Sequence, residues 1–404
     1  MTLEVGRRAR RGKRVASEAR SPDTPAMTGL RILHCHSTFA LGGKEARAVR
    51  LMNAWGARAH HTVLAASDDW GAREAIDPGI AVDFPRDAPS LMGKPGLRRY
   101  RDLARYTAGF DLVLTYNWGA MDVVGARRLF GKRMHLPPLI HHEDGFNVDE
   151  ATRTYRRRNA FRRYMLPAAH AVAVPSHRLE RIARRRWGVR APVRIANGIP
   201  TQLYAGSHAP GLFPDVPRRN GELLVGTIAG LRRVKDLPLL VEAVARADAP
   251  LRLVIVGQGP ERETIACAAL AHDIADRVHL VGFMAEPHRY VGAFDVLALS
   301  SLSEQQPISV IEGMAAGLPI VAPDVGDIAM MVSDENRRFV TERSVPALSA
   351  ALTELARDPM LRALVGEANR AKARAEFDEI TMVARYARLY GEAVGRPGAL
   401  LASG

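Results

Sequence analysis

The chain has 404 residues, of which 47% are hydrophobic and 25% are charged, and this is typical of a globular protein long enough for two domains. No run approaches the roughly 18 consecutive apolar residues of a membrane span, and no apolar core follows the charged N-terminus, so we expect neither a span nor a secretory signal and place the protein in the cytoplasm. The net charge of +14 favours an anionic partner: a nucleic acid, an acidic lipid surface or an anionic small molecule.

Residues 1–28 are rich in arginine and almost without apolar content, so we predict a disordered basic arm. Beyond them, apolar runs alternate with helical segments, which is the pattern of βαβ units. These runs are LRILHC at 30, HTVLAA at 61, DLVLTY at 111, PLIHH at 138 and HAVAVPS at 170. They predict an N-terminal α/β domain over residues 29–205.

A stretch rich in glycine and proline, AGSHAPGLFPDVPRRNG, predicts a linker, and the alternation then begins again with ELLVGTIAG, LRLVIVG, RVHLVG and FDVLALS. We therefore predict two Rossmann-like, doubly wound parallel-sheet domains facing a cleft, the second over residues 206–380. Residues 381–404 contain a predicted helix that we expect to pack back on the N-terminal domain, followed by a frayed tail, GRPGALLASG.

The segment SLSEQQPISVIEGMAAGLPIVAP, Ser301 to Pro323, predicts a loop, a helix and a strand after the strand FDVLALS. Pro307 suits the first turn of a helix and Gly317 suits the residue just past its end, so we predict a helix over residues 307–316. Such a unit is typical of a parallel sheet.

Glu304 and Glu312 lie before and within that helix. Ligands of open parallel sheets bind beyond the carboxyl ends of the strands, where Glu304 and the free N–H groups of Ile308 and Ser309 would lie. Ile308 and Glu312 are four residues apart and share a helix face. The segment therefore offers donors for a phosphate and acceptors for sugar hydroxyls.

Neither a metal nor a disulfide is predicted. Glu304 and Glu312 lack a nearby histidine or third carboxylate at ligand spacing, so we expect no metal and no cofactor. Cys35 and Cys267 lie far apart, without CxxC spacing and in apolar segments, and we expect both to be reduced core residues.

A basic loop, AGLRRVKD, precedes the first helix of the second half. Arg232, Arg233 and Lys235 would oppose the helix macrodipole there unless an anion joins them, which favours a diphosphate site. The alternative is that the arginines form surface ion pairs with Asp236 or Glu242.

In the first half, Gly42 and Gly43 precede a helix predicted to begin near Lys44, and glycines let a phosphate or sugar approach the backbone closely. His141 and His142 end the run PLIHH, where a histidine can donate to a sugar hydroxyl or take a proton. With 13 histidines in the chain, a structural role is the simpler expectation for any one of them.

Arginine clusters in two helical segments, RTYRRRNAFRRYM (Arg153 to Met165) and RLERIARRRWGVR. The first has aromatic residues interleaved, and the pair predicts a basic amphipathic surface on anionic lipid. The alternative is a solvated charged face. No nucleic-acid-binding motif accompanies the charge, so we expect no nucleic-acid partner.

Taken together, SEQQPISVIEGMAAGLPIVAPDVGD resembles the E-x7-E signature of family 4 retaining glycosyltransferases with the GT-B fold. The segments LGGKE, RIANGIP, VGTIAGLRRVKD, VIVGQGPE and VHLVGF resemble the family's other landmarks in order. The resemblance covers about residues 29–390. It implies a transferase that moves a sugar from a nucleotide-diphosphate-sugar donor to a glycan or lipid-linked acceptor with retention, as in bacterial exopolysaccharide or envelope glycan synthesis. A non-catalytic nucleotide-sugar sensor or scaffold on the same fold is the alternative.

The resemblance implies roles for the residues of the second half. Glu304 would contact the donor sugar and support the reacting centre, and Glu312 would bind the ribose hydroxyls. The remaining groups would neutralise the leaving diphosphate: Arg232, Lys235 and the backbone N–H groups of Ile308 and Ser309. The chain departs from the family where Gln305 replaces a frequent glycine and Gly230 replaces the usual phosphate-binding arginine, so either Arg232 or Arg233 could take that role.

In the first half, the resemblance implies that Gly42 and Gly43 close over the donor and that His141 lies near the transferred sugar. The basic helix over Arg153 to Arg163 resembles the membrane-docking helix of members with lipid acceptors. That likeness implies a peripheral position at the inner face of the plasma membrane.

Overall fold

The structure, a computed structural model, describes residues 29–94, 96–146, 150, 155–205, 212–213, 216–217 and 221–401. The predicted basic arm, most of the predicted linker and Arg153 lie outside the described residues.

The first half is built around a parallel sheet. Its strands are β1 (Leu30–His36), β2 (Ala59–Ala65), β3 (Val82–Asp83), β4 (Leu112–Tyr116), β5 (Leu139–His142), β6 (Ala171–Val174) and β7 (Val193–Arg194). The helices that we name here are α1 (Gly43–Trp55), α2 (Leu97–Thr107), α3 (Met121–Phe130), α4 (Arg156–Met165) and α5 (His177–Arg185). The seven strands run in the order β3-β2-β1-β4-β5-β6-β7, so the strand order reverses between β1 and β4.

The second half repeats this plan. Its strands are β8 (Leu223–Ile228), β9 (Leu251–Val256), β10 (Val278–Gly282), β11 (Val296–Ala298), β12 (Ile320–Pro323) and β13 (Val340–Thr341). Its helices are α6 (Leu237–Arg246), α7 (Arg262–Ala271), α8 (Ile308–Ala315), α9 (Ile328–Met331), α10 (Val345–Arg357), α11 (Pro359–Glu376) and α12 (Glu379–Ala393). The six strands are parallel in the order β10-β9-β8-β11-β12-β13.

Two doubly wound parallel sheets confirm the predicted fold class. The predicted strands form because their apolar runs are buried on both faces of a sheet, between two clusters of buried side chains in each half. Three strands were not predicted: β3, β7 and β13. Each has two residues and lies at the edge of its sheet, where a short run carries little pattern.

The C-terminal helix α12 leaves the second half and joins the core of the first. Its side chains Met382, Tyr386 and Tyr390 lie in the same buried cluster as β1 and α1. The prediction of a frayed tail is wrong for the residues up to 401, because Leu400 is buried in that cluster and the Arg396 N–H donates to the Gly391 carbonyl.

Cys35 is buried as predicted, whereas Cys267 is exposed. The helix α7 buries Ile265 and Ala269, and Cys267 lies two residues from each of them, on the outer face. We predicted a buried Cys267 because its segment is apolar, and that prediction is wrong.

Candidate active site at the carboxyl edges of the two sheets

Glu304 lies in the loop between β11 and α8, beside a lysine from the loop after β8. The Lys235 ammonium donates to Glu304 Oε1 at 2.5 Å, and Ser301 Oγ donates to the same oxygen at 2.8 Å. The side chains of Lys235 and Glu304 are 18% and 10% exposed. The structure thus brings the predicted cation and acid together at the carboxyl ends of neighbouring strands.

The helix α8 lies close to its predicted bounds. Pro307 is the N-cap residue of α8, with φ −67°. Proline has no backbone N–H group to donate, so it suits the position before the first helical residue. Gly317, with φ +78°, follows the end of the helix in the left-handed region that favours glycine. Ile308 and Ser309 are the first two residues of α8, so their N–H groups have no acceptor within the helix.

Glu312 is buried one turn further along α8, with 8% of its surface exposed. The Tyr204 hydroxyl donates to Glu312 Oε1 at 3.3 Å. Burial raises the pKa of Glu312 to about 7, although the hydrogen bond from Tyr204 and the charge of Arg50 act in the opposite direction. This carboxyl therefore changes charge near neutral pH. Tyr204 and Arg50 come from distant segments, and no sequence pattern pointed to them.

The start of α1 meets the start of α8 across the two halves. A Cβ built on Gly43 would lie 3.3 Å from Ile308 Cδ1, so a larger residue at position 43 would press on the second half. Gly42 is exposed, and its carbonyl accepts from the Ala46 N–H at 2.8 Å. Because the positive ends of both helix dipoles come to this place, it favours an anion.

Arg232 and Arg233 are both exposed in the loop before α6. Asp236 pairs with Arg343, and the carboxylate of Glu242 pairs with Arg246. Among the described residues, neither Arg232 nor Arg233 has an ion-pair partner. Both arginines therefore stay candidates for the diphosphate ligand.

Among the described residues, no hydrogen bond or ion pair joins His141 to Lys235 or Glu304. The His141 side chain is fully buried, its Nδ1 lies 2.9 Å from Thr115 Oγ1, and its Nε2 lies 3.6 Å from Glu143 Oε2. Within the described part of the chain, His141 Nε2 has no hydrogen-bond partner. Its assignment near the transferred sugar stays a prediction.

Asp144, three residues beyond His141, lies just after β5 and is partly exposed. Arg47 Nη2 donates to Asp144 Oδ2 at 2.9 Å, and Arg47 Nη1 contacts the other oxygen. Burial raises the pKa of Asp144, but the Arg47 guanidinium outweighs it and holds that pKa below its ordinary value. The sequence showed an acid after the histidine pair but not its arginine, which lies 97 residues away.

The basic helix α4 is not a uniformly exposed surface. Arg162 is 1% exposed and pairs with Glu143 at 3.2 Å and Glu150 at 3.3 Å. Its guanidinium also lies over the rings of Trp118, Phe146 and Trp187. Arg162 is therefore an internal structural residue. The outward side chains of α4 and its N-cap are Arg156, Arg157, Arg163, Tyr155 and Tyr164.

The described part of the chain contains neither clustered metal ligands nor a membrane-spanning helix. Its residues include no group of three His, Cys, Asp or Glu side chains that could hold a metal ion. In the same ranges, no helix is long and apolar enough to cross a membrane.

Two family models match consecutive parts of the chain. The model described as Glycosyltransferase Family 4 matches residues 41–203, and the model described as Glycosyl transferases group 1 matches residues 212–372. Together with the two parallel sheets, these matches define the protein as a GT-B glycosyltransferase of the family 4 type.

Curated relatives are similar over part of their length. TuaC of Bacillus subtilis (strain 168), whose name assigns it to teichuronic acid biosynthesis, is 26% identical over 226 residues, which are 54% of this chain and 55% of TuaC. The N-acetyl-alpha-D-glucosaminyl L-malate synthase of Bacillus anthracis is 22% identical over 269 residues, 66% of this chain and 70% of the synthase. The chain thus spans about half the length of TuaC.

Solved structures are similar over nearly the whole chain. Anabaena Alr3699/HepE in complex with UDP and glucose has a TM-score of 0.74 and 18% identity, and the likeness covers 90% of this chain and all of HepE. The sucrose-phosphate synthase of Thermosynechococcus elongatus has a TM-score of 0.70 and 20% identity, covering 90% of this chain and 99% of the synthase. At such identities these neighbours establish the fold alone.

Proposed function

We propose that this protein is a retaining glycosyltransferase that moves a sugar from a nucleotide-diphosphate-sugar donor to a glycan or lipid-linked acceptor in bacterial envelope or exopolysaccharide synthesis. The observation that carries the proposal is the Lys235–Glu304 pair beside the N-terminus of α8, with Glu312 one turn further on. The name of TuaC and the UDP in the HepE complex support the donor and pathway classes.

The chemistry demands a place for a leaving diphosphate. The acceptor oxygen forms a bond to the anomeric carbon while the bond from that carbon to the diphosphate breaks. Lys235, either Arg232 or Arg233, and the first N–H groups of α8 oppose the charge that grows on the diphosphate. Such groups stabilise the transition state more than the ground state, which is what accelerates a reaction.

Retention follows from attack on the same face that the diphosphate leaves. The diphosphate oxygen then takes the acceptor's proton, so no enzymic nucleophile is required. Glu304 accepts from the sugar hydroxyls and Glu312 accepts from the ribose hydroxyls, both as carboxylates. His141 supports the sugar from the first half, and Gly42 and Gly43 close over the donor. None of these steps uses a metal or a cofactor.

The outward arginines and tyrosines of α4 support a peripheral position on anionic lipid, on the same half as the proposed acceptor. Arginine heads attract acidic headgroups, and tyrosines suit the interface of a bilayer. This surface would bring the protein to a lipid-linked acceptor at the inner face of the plasma membrane.

A screen of UDP-, GDP-, ADP- and TDP-sugars tests the donor assignment. We expect one nucleotide to raise the melting temperature through mass action and its sugar to be hydrolysed or transferred. Binding without turnover on any glycan or lipid-linked acceptor would support the scaffold alternative. If no nucleotide shifts the melting temperature, the donor site is assigned wrongly.

A further inference from the structure

The loop that carries Glu304 is held by the first half of the protein through the two residues that follow it. Ser176 Oγ donates to Gln305 Oε1 at 3.3 Å. The Asn197 N–H donates to Gln306 Oε1 at 2.5 Å, and Asn197 Nδ2 donates to the Gln306 carbonyl at 3.1 Å. The two glutamines and Asn197 are at most 7% exposed, so water competes little for these bonds.

A third contact joins the halves next to this loop. Asp327, just before α9 in the second half, accepts from the backbone of α5 in the first half. Its Oδ2 accepts from the His177 N–H at 2.6 Å and its Oδ1 from the Arg178 N–H at 3.1 Å. The Asp327 N–H also donates to the Gln305 carbonyl at 2.9 Å. One half therefore caps a helix of the other, because free N–H groups at a helix start need acceptors.

These bonds continue to the site residues of the first half. Arg47 Nη1 donates to Asn197 Oδ1 at 3.0 Å, and Arg47 holds Asp144 at the end of β5. Arg47 also lies one turn beyond Gly43 on α1. A continuous set of hydrogen bonds thus runs from Gln306, two residues after Glu304, to the start of α1.

We propose that Gln305, Gln306 and Asp327 are positioning residues that clamp the Glu304 loop against the first half, so that closure of the cleft and placement of Glu304 occur together. The inference rests on the proposed transferase function. The clamp bonds join residues from both halves, so they break when the halves separate. Among the proposed donor residues, Lys235, Glu312 and Ile308 belong to the second half, whereas Gly42 and Gly43 belong to the first. The second half therefore keeps most of the proposed donor contacts when the halves separate.

This division predicts a split between binding and turnover. In Asp327→Ala and Gln306→Ala, the dissociation constant of the nucleotide found in the screen should stay within about threefold, while kcat falls about tenfold or more, because small misplacements of reacting groups are costly. Asp327→Asn keeps an acceptor oxygen for α5 and should recover part of kcat.

Asp358→Ala is the matched control. Asp358 Oδ1 caps α11 by accepting from the Leu361 N–H at 2.9 Å, and both residues lie in the second half. Asp358→Ala removes the same kind of helix cap as Asp327→Ala, so it should lower the melting temperature by a comparable amount and leave kcat unchanged. Small-angle scattering of the nucleotide complexes should show a larger radius of gyration for Asp327→Ala than for the parent and for Asp358→Ala.

The outcomes separate the clamp from the transferase function. If Asp327→Ala and Gln306→Ala lower kcat no more than Asp358→Ala does, the clamp is refuted while the transferase function stands. The clamp is also refuted if nucleotide affinity falls in parallel with kcat. If the parent protein has no turnover with any donor, the proposed function itself fails. Should Asp327→Ala not fold, Gln306→Ala and Asp327→Asn carry the decision.

Discussion

The two halves share one architecture but differ in what their strands bury. In the second half the central strands bury mainly aliphatic residues, with Thr227 and the paired Arg252 as exceptions. In the first half five histidines on β1, β2 and β5 are buried: His34, His36, His61, His141 and His142. His34 bonds to Tyr116 and His61, and His142 Nε2 lies 2.7 Å from the Tyr390 hydroxyl. The same sheet plan can therefore hold a titratable core or an inert one.

The charges of the proposed reaction lie mostly in the half with the inert core. Burial lowers the pKa of His34 and His36 well below the ordinary value and lowers that of His61 and His142 to about 3. The difference between the halves implies two separate effects of acid. It should unfold the first half, and it should change the charge of the site in the second half.

The largest expected effect is acid unfolding of the first half. The folded state keeps His34, His36, His61 and His142 neutral while the unfolded chain takes up protons below about pH 6.5, so stability is present above that pH and is lost as the pH falls. Four such groups give a slope of up to about 5 kcal/mol per pH unit.

Tryptophan fluorescence measures this effect selectively, because all four tryptophans, Trp55, Trp70, Trp118 and Trp187, belong to the first half. Circular dichroism follows both halves. His36→Leu should reduce the pH slope, whereas His170→Gln, at an exposed position, should not. Coincident acid transitions of the two signals in the presence of a bound nucleotide would contradict the proposed difference between the halves.

Next in size is the loss of the site cation in the second half. Lys235→Ala removes a charge-assisted hydrogen bond worth about 1.5 to 3 kcal/mol, so turnover should fall at least about tenfold. Glu304→Ala should lower turnover at least as much, since it also leaves the Lys235 ammonium without its carboxylate partner. Steady-state transfer rates are the measurement, with the exposed residue Glu335→Ala as control. Turnover within about twofold of the parent in both variants would mean that the site is wrongly assigned.

A smaller effect concerns Glu312. Its pKa of about 7 means that the protonated form prevails below neutral pH, while ribose hydroxyls favour the carboxylate. As the pH is raised towards 7, donor affinity should therefore increase by up to about tenfold per pH unit, and above pH 7 it should level off. Below pH 7, binding should release up to one proton. Calorimetry in buffers of different ionisation enthalpy measures that proton. Glu312→Gln should abolish the release, and Tyr204→Phe should move the transition to higher pH. No proton release at pH 6 would exclude this role for Glu312.

The smallest effect separates a lipid-binding surface from a solvated charged face on α4. Arg157→Gln should weaken binding to vesicles containing phosphatidylglycerol about fivefold, from a contribution of about 1 kcal/mol per arginine. Arg337→Gln, at an exposed position of the second half, is the control. Equal vesicle binding by the parent, Arg157→Gln and Arg337→Gln would favour the solvated face.

The sequence predicted most of the strands of both sheets and the positions of Lys235, Glu304 and Glu312 around the start of α8. The donor-binding roles of these residues stay predictions. Buried parallel strands appear as unbroken apolar runs, and charged residues beside a helix start, such as Lys235, Glu304 and Glu312, favour a ligand site. What it could not predict depends on contacts between distant segments. The burial of Arg162 needs carboxylates and rings from four other segments to converge on it. The same is true of Asp144 with Arg47 and of Tyr204 with Glu312.

The return of α12 to the first half has a consequence for biosynthesis. Tyr386, Tyr390 and Leu400 fill the core around β1 and α1, although they are translated after all the strands of the second half. The second half has all its own strands once residue 341 has emerged. Because domains form as their segments appear, the half that is translated first is completed last. If translation stalled before α12, the second half could fold completely while the first half still lacked part of its core.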